Sequence, residues 1–300
     1  MLTRPGSSSD PIVQRLQTLA ENSPELHDIA LLYQAILPLL RDSELHVRPI
    51  SLTRDEVREK MDRGLPLLHE INLNIDSYAL RNLILQLARA IEKRDDPGAN
   101  NNQRLQTEAV RRIRLAIEND TFDISALLPH IIAKRYDLVS RAIQDLQFDP
   151  HLTLTLVQYA LRPALRAWCR QLTSLVGGVP WRKGICFICG ATAMLAELQG
   201  NNQVKHLRCG QCGADWEFRR LQCVYCGNND HNTQRYLYVD GLRTNMQVEV
   251  CDKCHGYLKL IAAFAPTPPD MLHIADIATL LLDYFAQERG YTRHESAAHV

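Results

Sequence analysis

The sequence predicts an α+β protein, in which an N-terminal all-α domain is followed by two zinc-ribbon-type metal subdomains and a closing C-terminal helix. Three observations predict it. From about residue 10 to residue 177 apolar side chains return every three or four positions and glycine is scarce. At Gly177, Gly178, Val179 and Pro180 that period stops, and short β-prone runs such as 235–239 and 246–250 take over. The last third holds eight of the nine cysteines, arranged as four Cys-x-x-Cys pairs. The expected divisions are a helical domain over 1–178, a first metal ribbon over 179–220, a second over 221–264, and a C-terminal helix with its tail over 265–300.

Local start and stop signals place the helices. Asp10 followed by Pro11 opens one, because proline at the first helical position loses only an N–H that has no partner there. Thr53 with Glu56 three residues later has the form of a capping box. Asp76 or Ser77 opens a helix with Leu80, Leu83, Leu85, Leu87 and Ile91 on its apolar face, and Asp95, Asp96, Pro97 and Gly98 stop it. Further helices are expected at roughly 103–119, at 124–145 with a break, and at 151–175. A last helix is expected from Asp270 to about Arg289. Ile277 and Leu280 make it apolar nearly all round, which predicts burial between domains or a self-association surface.

Composition narrows the function classes. The chain has 300 residues, 34 Lys+Arg against 34 Asp+Glu, and 46% apolar residues, as an ordinary globular protein does. Balanced charge gives no overall basic field for capturing phosphate backbones, so no nucleic-acid partner is expected. Residues 181–260 carry ten Lys+Arg and seven Asp+Glu, and thiolates bound to metal would offset that small excess. Trp216, Phe218 and Tyr225 could stack on bases but are read as core. No apolar run reaches the roughly 18 residues of a membrane span, and the start lacks the apolar stretch of a secretory signal. The expected compartment is the cytoplasm, without stable membrane insertion.

The pairs are Cys186 and Cys189, Cys209 and Cys212, Cys223 and Cys226, and Cys251 and Cys254. Two intervening residues let the chain fold as a knuckle that aims both sulfurs at one ion, and two knuckles complete a tetrahedral shell. Gly190, Gly213 and Gly227 directly follow three of the pairs, where a residue free to take positive φ turns backbone N–H groups toward sulfur. After Cys254 comes His255, and only then Gly256. Nineteen residues separate Cys189 from Cys209, ten separate Cys212 from Cys223, and twenty-four separate Cys226 from Cys251. The middle gap is short for a strand, turn and returning strand, so the expected sites are Cys186, Cys189, Cys209 and Cys212 together, then Cys223, Cys226, Cys251 and Cys254 together. An interleaved arrangement is the alternative. Disulfides within each pair are the bland competitor, disfavoured by a reducing compartment and by strain. Each site would take one iron or zinc ion, since tetrahedral sulfur suits both. A saturated shell has no open position for substrate, so the sites are expected to support folding rather than catalysis.

Other candidates are weaker. Cys169, beside Trp168 in a helix, reads as a small buried hydrophobe. His294, Glu295 and His299 approach a zincin pattern, but the second histidine comes one position late. His206, His231 and His255 are read as loop histidines rather than exchangeable ligands. No phosphate-cradling glycine loop and no nucleophile elbow occurs.

The order of the knuckles, with Trp181, the Cys186-Phe187-Ile188-Cys189-Gly190 turn, Leu207-Arg208-Cys209, Trp216, Arg219, and Cys251-Asp252-Lys253-Cys254 leading into Tyr257-Leu258-Lys259, resembles the formate dehydrogenase accessory protein FdhE family. Outside that stretch the resemblance is looser, resting on the helical first half and on Asp276, Asp283, Gly290 and Tyr291 in the closing region. Phe187 departs from it, since the family often has proline after the first cysteine. The resemblance implies a cytoplasmic maturation factor that binds the molybdenum-containing, often selenocysteine-containing catalytic subunit of a respiratory formate dehydrogenase before export, and that is not itself an enzyme. It also implies a rubredoxin-like double ribbon with iron as a plausible occupant beside zinc. Two other function classes stand against it: a thiol or iron redox protein, and a nucleic-acid-binding ribbon protein.

Overall fold

The structure, a computed structural model, describes residues 10–43, 45, 47–93, 101–132, 135–238 and 246–294. The helical half contains α1 (Pro11–Asn22), α2 (His27–Asp42), α3 (Arg54–Asp62), α4 (Ser77–Glu92), α5 (Asn101–Glu118), α6 (Leu128–Ile132), α7 (Tyr136–Asp145) and α8 (Pro150–Val176). The start signals act as expected. Asp10 accepts from the Ile12 N–H, Thr53 and Glu56 form a reciprocal capping box, and Asp76 accepts from the N–H groups of Tyr78 and Ala79. The break expected within 124–145 separates a 3₁₀ turn and α6 from α7. The stop signal at Asp95–Gly98 lies outside the described residues.

Six short strands follow among the described residues: β1 (Leu195–Gln199), β2 (Val204–Arg208), β3 (Asp215–Glu217), β4 (Gln234–Leu237), β5 (Met246–Cys251) and β6 (Gly256–Ala263). Each ribbon is an antiparallel unit, β1-β2-β3 in one and β4-β5-β6 in the other. The two share one sheet of order β3-β2-β1-β6-β5-β4, because β1 pairs parallel with β6 through Ala196↔Leu260 to Gln199↔Ala263.

The helix expected over Asp270–Arg289 is two helices, α9 (Leu272–Ala278) and α10 (Leu280–Gln287), after a 3₁₀ turn at Pro269–Met271. The break falls at Thr279, whose hydroxyl donates to the carbonyls of Ala275 and Asp276. The two halves bury different faces. Ile274 and Ile277 of α9 join the helical core, while Leu282 and Ala286 of α10 pack with Val248, Val250 and Tyr257 of the second ribbon.

Helix α8 ties the halves together. Its first part, Leu154 to Leu161, lies in the core with α2, α4 and α5, whereas Ala164, Trp168 and Leu172 enter a second core with Trp181, Phe187, Ile188 and Trp216. Trp168 donates its indole N–H to the Arg48 carbonyl at 3.0 Å, and the Gln171 amide bonds the Ile50 backbone in both directions. These bonds satisfy polar groups that the packing removes from water.

Candidate metal centres

The knuckles form as tight turns that close on themselves. Gly190 N–H donates to Cys186 O, Gly213 N–H to Cys209 O and Gly227 N–H to Cys223 O, at 2.8 to 3.0 Å. The three glycines have φ of 72°, 79° and 70°, where an L side chain is strained. At the fourth knuckle His255 takes that conformation itself, with φ 54°. Backbone N–H groups turn toward sulfur as the spacing requires: Ile188 N lies 3.4 Å from Cys186 Sγ and Cys212 N lies 3.5 Å from Cys209 Sγ.

The fold brings the thiols together in two sets of four, Cys186 with Cys189, Cys209 and Cys212, and Cys223 with Cys226, Cys251 and Cys254. Within each set the sulfurs all lie within 4.8 Å of one another. Facing sulfurs are 3.5 Å apart in both cross-pairs of the first set, and 3.6 and 3.8 Å apart in the second. A tetrahedral ion with metal–sulfur bonds of about 2.3 Å has sulfur–sulfur edges of about 3.8 Å, so the donor sets fit one such ion each. None of the nine cysteines forms a disulfide, and the sulfurs that face each other come from different Cys-x-x-Cys pairs, unlike the within-pair bridges of the competing reading.

Electrostatics point the same way. Burial pushes the Cys186 and Cys212 thiols well above the ordinary range, and burial also lifts Cys223. Four adjacent sulfurs therefore cannot all be thiolates unless a cation compensates them. The first set is the drier one. Three of its four cysteines are buried and Phe187 packs edge-on to Trp216 with ring centroids 6.2 Å apart, so the residue that departs from the expected proline fills core. In the second set Cys226 is exposed. The turn between α3 and α4 also covers the first site, where the N–H groups of Leu67 and Leu68 donate to the carbonyls of Phe187 and Ile188 at 2.7 and 3.0 Å.

The other expected residues take structural places. Trp216 and Phe218 are buried, and Tyr225 is partly buried with its hydroxyl donating to Tyr257 O at 2.9 Å. His206 Nδ1 sits 2.5 Å from Asp215, and His231 is exposed. His294 stacks edge-on to Tyr225 with ring centroids 4.7 Å apart, while Glu295 and His299 lie outside the described residues. No histidine joins either thiol group among the described residues. Cys169 is buried as expected, but its thiol also lies beside that of Cys212. No signal in the sequence gives that neighbour, which follows from how α8 docks.

Comparison with known proteins finds one recurring similarity. Residues 221–299 match the family model for the FdhE C-terminal domain. An FdhE homologue from Aquifex aeolicus is 28% identical over 163 residues, covering 53% of this chain and 55% of that protein. One from Haemophilus ducreyi is 24% identical over 283 residues, covering 93% of this chain and 85% of that protein. The C-terminal quarter of the chain thus matches the FdhE model, and the longer alignment extends the similarity over the helical half. An FdhE homologue from Shewanella oneidensis is 31% identical over a shorter stretch, 37% of this chain and 36% of its own length. The chain thus spans about half the length of the Aquifex relative and about a third of the Shewanella one. The crystal structure of the FdhE protein from Pseudomonas aeruginosa has the same fold, with a TM-score of 0.59 at 23% identity over 94% of this chain and 92% of that one.

Of the FdhE-like residues outside the knuckles, Asp276 and Asp283 belong to one buried network, while Gly290 and Tyr291 tie the chain after α10 to the fourth knuckle. Lys259 Nζ, on β6, lies 2.7 Å from Asp276 Oδ1 and 2.6 Å from Asp283 Oδ2, and the Tyr257 hydroxyl donates to Asp283 at 2.8 Å. Gly290 turns the chain after α10 with φ 82°, and the Tyr291 hydroxyl then reaches Asp252 in the fourth knuckle at 2.5 Å. Arg293 closes the set with a 2.8 Å bond to Asp276. Burial alone would raise the Asp276 carboxyl, but Lys259 and Arg293 together hold it below its ordinary value.

Proposed function

We propose that this chain is an FdhE-family accessory and maturation factor for formate dehydrogenase, binding its catalytic subunit in the cytoplasm, and that it is not itself an enzyme. One iron or zinc ion is held by Cys186, Cys189, Cys209 and Cys212, and a second by Cys223, Cys226, Cys251 and Cys254. The observation that carries this reading is that each set supplies four thiols and nothing else. Such a shell is full, so the ion cross-links chain segments and leaves no position at which water or substrate could be activated. The binding surface is formed by a helical unit over 1–178, ribbons over 179–220 and 221–264, and the closing helices with their tail over 265–300. No helix among the described residues is long and apolar enough to cross a membrane.

Copurification tests it. The catalytic subunit of formate dehydrogenase should be recovered with the wild-type protein and lost when Cys209 and Cys212 are replaced by serine. Equal recovery would show that the first ribbon is not required. A redox role is the second reading, favoured by the exposure of Cys226, which leaves the second site reachable from solvent. Elemental analysis with a visible spectrum separates the two readings. Iron with a reversible one-electron absorbance change supports electron transfer, and a colourless zinc protein ends that reading.

A further inference from the structure

A cavity of about 1270 Å³ lies between the helical half and the first ribbon. Tyr33, Tyr159 and Arg162 line it from the helices, Leu68 from the segment that docks on the first knuckle, Gln211 from the second knuckle, and His273 from α9.

Arg162 is 5% exposed, and its Nε and Nη1 are buried with no hydrogen-bond partner. Among the described residues the other fully buried cations each face a carboxylate. Lys205 pairs with Glu249, Arg208 with Glu197, and Lys259 with Asp276 and Asp283. No carboxylate pairs with Arg162 among the described residues. Its guanidinium instead lies over the Tyr159 ring, 3.6 Å from the centroid, which orients the plane but leaves N–H donors unused. A buried charge without a counter-ion is costly, and an anionic ligand removes that cost.

The surroundings define the ligand further. Tyr33 and Tyr159 hydroxyls lie 2.5 Å apart, so one hydroxyl hydrogen links them and the other is available to a second acceptor. His273 bonds the Gly210 carbonyl through Nε2 and is held neutral by burial and by the Arg162 charge, so it adds no competing cation. Asp276 also lines the cavity but is bound to Lys259 and Arg293. Gln211 Oε1 is a buried acceptor with no donor. The site therefore asks for an oxyanion at Arg162, an N–H at Gln211, and apolar surface against Leu68 and its neighbours.

We propose that this cavity binds a peptide segment through a carboxylate seated on Arg162, with the tyrosine pair as second donor and a peptide N–H meeting Gln211. A bare anion would fill a small part of the volume and would leave Gln211 without a donor. The inference goes beyond the client assignment, because the cavity and its unpaired arginine call for such a ligand whatever protein supplies it.

The test uses the full-length, metal-loaded protein and isothermal titration with two probes, acetate and the capped peptide acetyl-Leu-Val-Glu-Leu-Val-amide, beside the glutamine version of that peptide. The glutamate peptide should bind, and either the glutamine exchange or Arg162→Met should weaken binding by about tenfold or more, as loss of a buried charge-assisted contact does. Should Arg162→Met fail to keep a cooperative melting transition, Tyr33→Phe and Gln211→Ala carry the test, each expected to weaken the glutamate peptide. Absence of binding by both probes, or equal binding of the glutamate and glutamine peptides, overturns the proposal. So does undiminished binding by a folded Arg162→Met variant. Arg162-dependent binding of acetate without peptide binding overturns the peptide as the carboxylate source.

Discussion

Replacing Lys259 with methionine removes a cation that is 1% exposed while keeping most of the aliphatic stem. It leaves Asp276 and Asp283 facing each other's charge across the junction of β6 with α9 and α10. Removing one partner of a buried ion pair costs roughly 3–5 kcal/mol, because the survivor stays desolvated without compensation. Two features push the value to the low end. Arg293 remains 2.8 Å from Asp276, and the Tyr257 hydroxyl still donates to Asp283. We expect a loss of about 3 kcal/mol, equivalent to a fall of about 6–10 °C in melting temperature for a chain of this size. Thermal and urea denaturation of the metal-loaded protein, followed by circular dichroism, measure it. Adding Asp283→Asn to Lys259→Met removes one orphaned charge and should recover part of the loss, a non-additivity expected of groups in direct contact. A loss under about 1 kcal/mol, or a double variant no more stable than the single one, would refute the network as an energetic unit.

Further outcomes follow from the same geometry. Carboxyl titration by NMR should place the Asp276 midpoint below the ordinary aspartate value near ~3.9; a folded value depressed in this way adds stability that is complete above the unfolded pKa and is lost as pH falls through the folded one, and a midpoint at or above the reference contradicts the pairing. Gly184→Ala would put a methyl 1.8 Å from the Val224 carbonyl oxygen, where backbone of the third knuckle cannot yield, so a loss of about 1–3 kcal/mol is expected in chemical denaturation. His255→Gly relieves a left-handed φ of 54° and should be neutral or stabilising by up to about 1 kcal/mol; a clear loss would mean that the ring's packing near Tyr291 outweighs backbone strain. A chelator titrated against the holoprotein should strip the second site before the first and abolish ribbon circular dichroism when both are empty, and retention of ordered strands in metal-free protein would contradict the structural role.

Local chemistry was legible where one stretch of chain decides it. Asp10, Thr53 with Glu56, and Asp76 open their helices because a cap needs only neighbours within three residues. The cysteine spacing likewise places the thiols in the two sets that the fold assembles. Long-range features were not legible. The parallel pairing of β1 with β6 joins residues 64 positions apart, Ala196 with Leu260 for example, and nothing in either strand names its partner. Glu197, Lys205, Arg208, Glu249 and Lys259 are charged residues in the strands, yet they are buried and paired across strands or onto the closing helices, partners that no local pattern supplies. Cys169 reads only as small core and Arg162 carries no signal of its own, and both acquire their neighbours only when α8 lies across the first ribbon. Thr279 is an ordinary residue in a helical pattern, and its break reflects two helices burying different faces.

The two metal sites differ in how much else holds their surroundings. Around the first site Trp168, Leu172, Trp181, Phe187, Ile188, Leu207 and Trp216 form a contiguous core, so α8 and apolar burial would share the work with a bound ion. Around the second site the separate cluster is Val248, Val250, Tyr257, Leu282, Ala286 and Tyr291, and half of those residues belong to α10 and the turn after it. Binding energy of about 10–16 kcal/mol per structural zinc in small peptides is large beside such a core. With an ion bound, the second ribbon would rest on it and on the closing segment together: Tyr291 bonds Asp252 within the fourth knuckle, and Lys259 fastens β6 to Asp276 and Asp283. Loss of either support loosens the other, because each holds strands that the other needs in register. β6 also pairs with β1, so disorder in the second ribbon removes hydrogen bonds from the first and reaches the wall of the Arg162 cavity through the second knuckle.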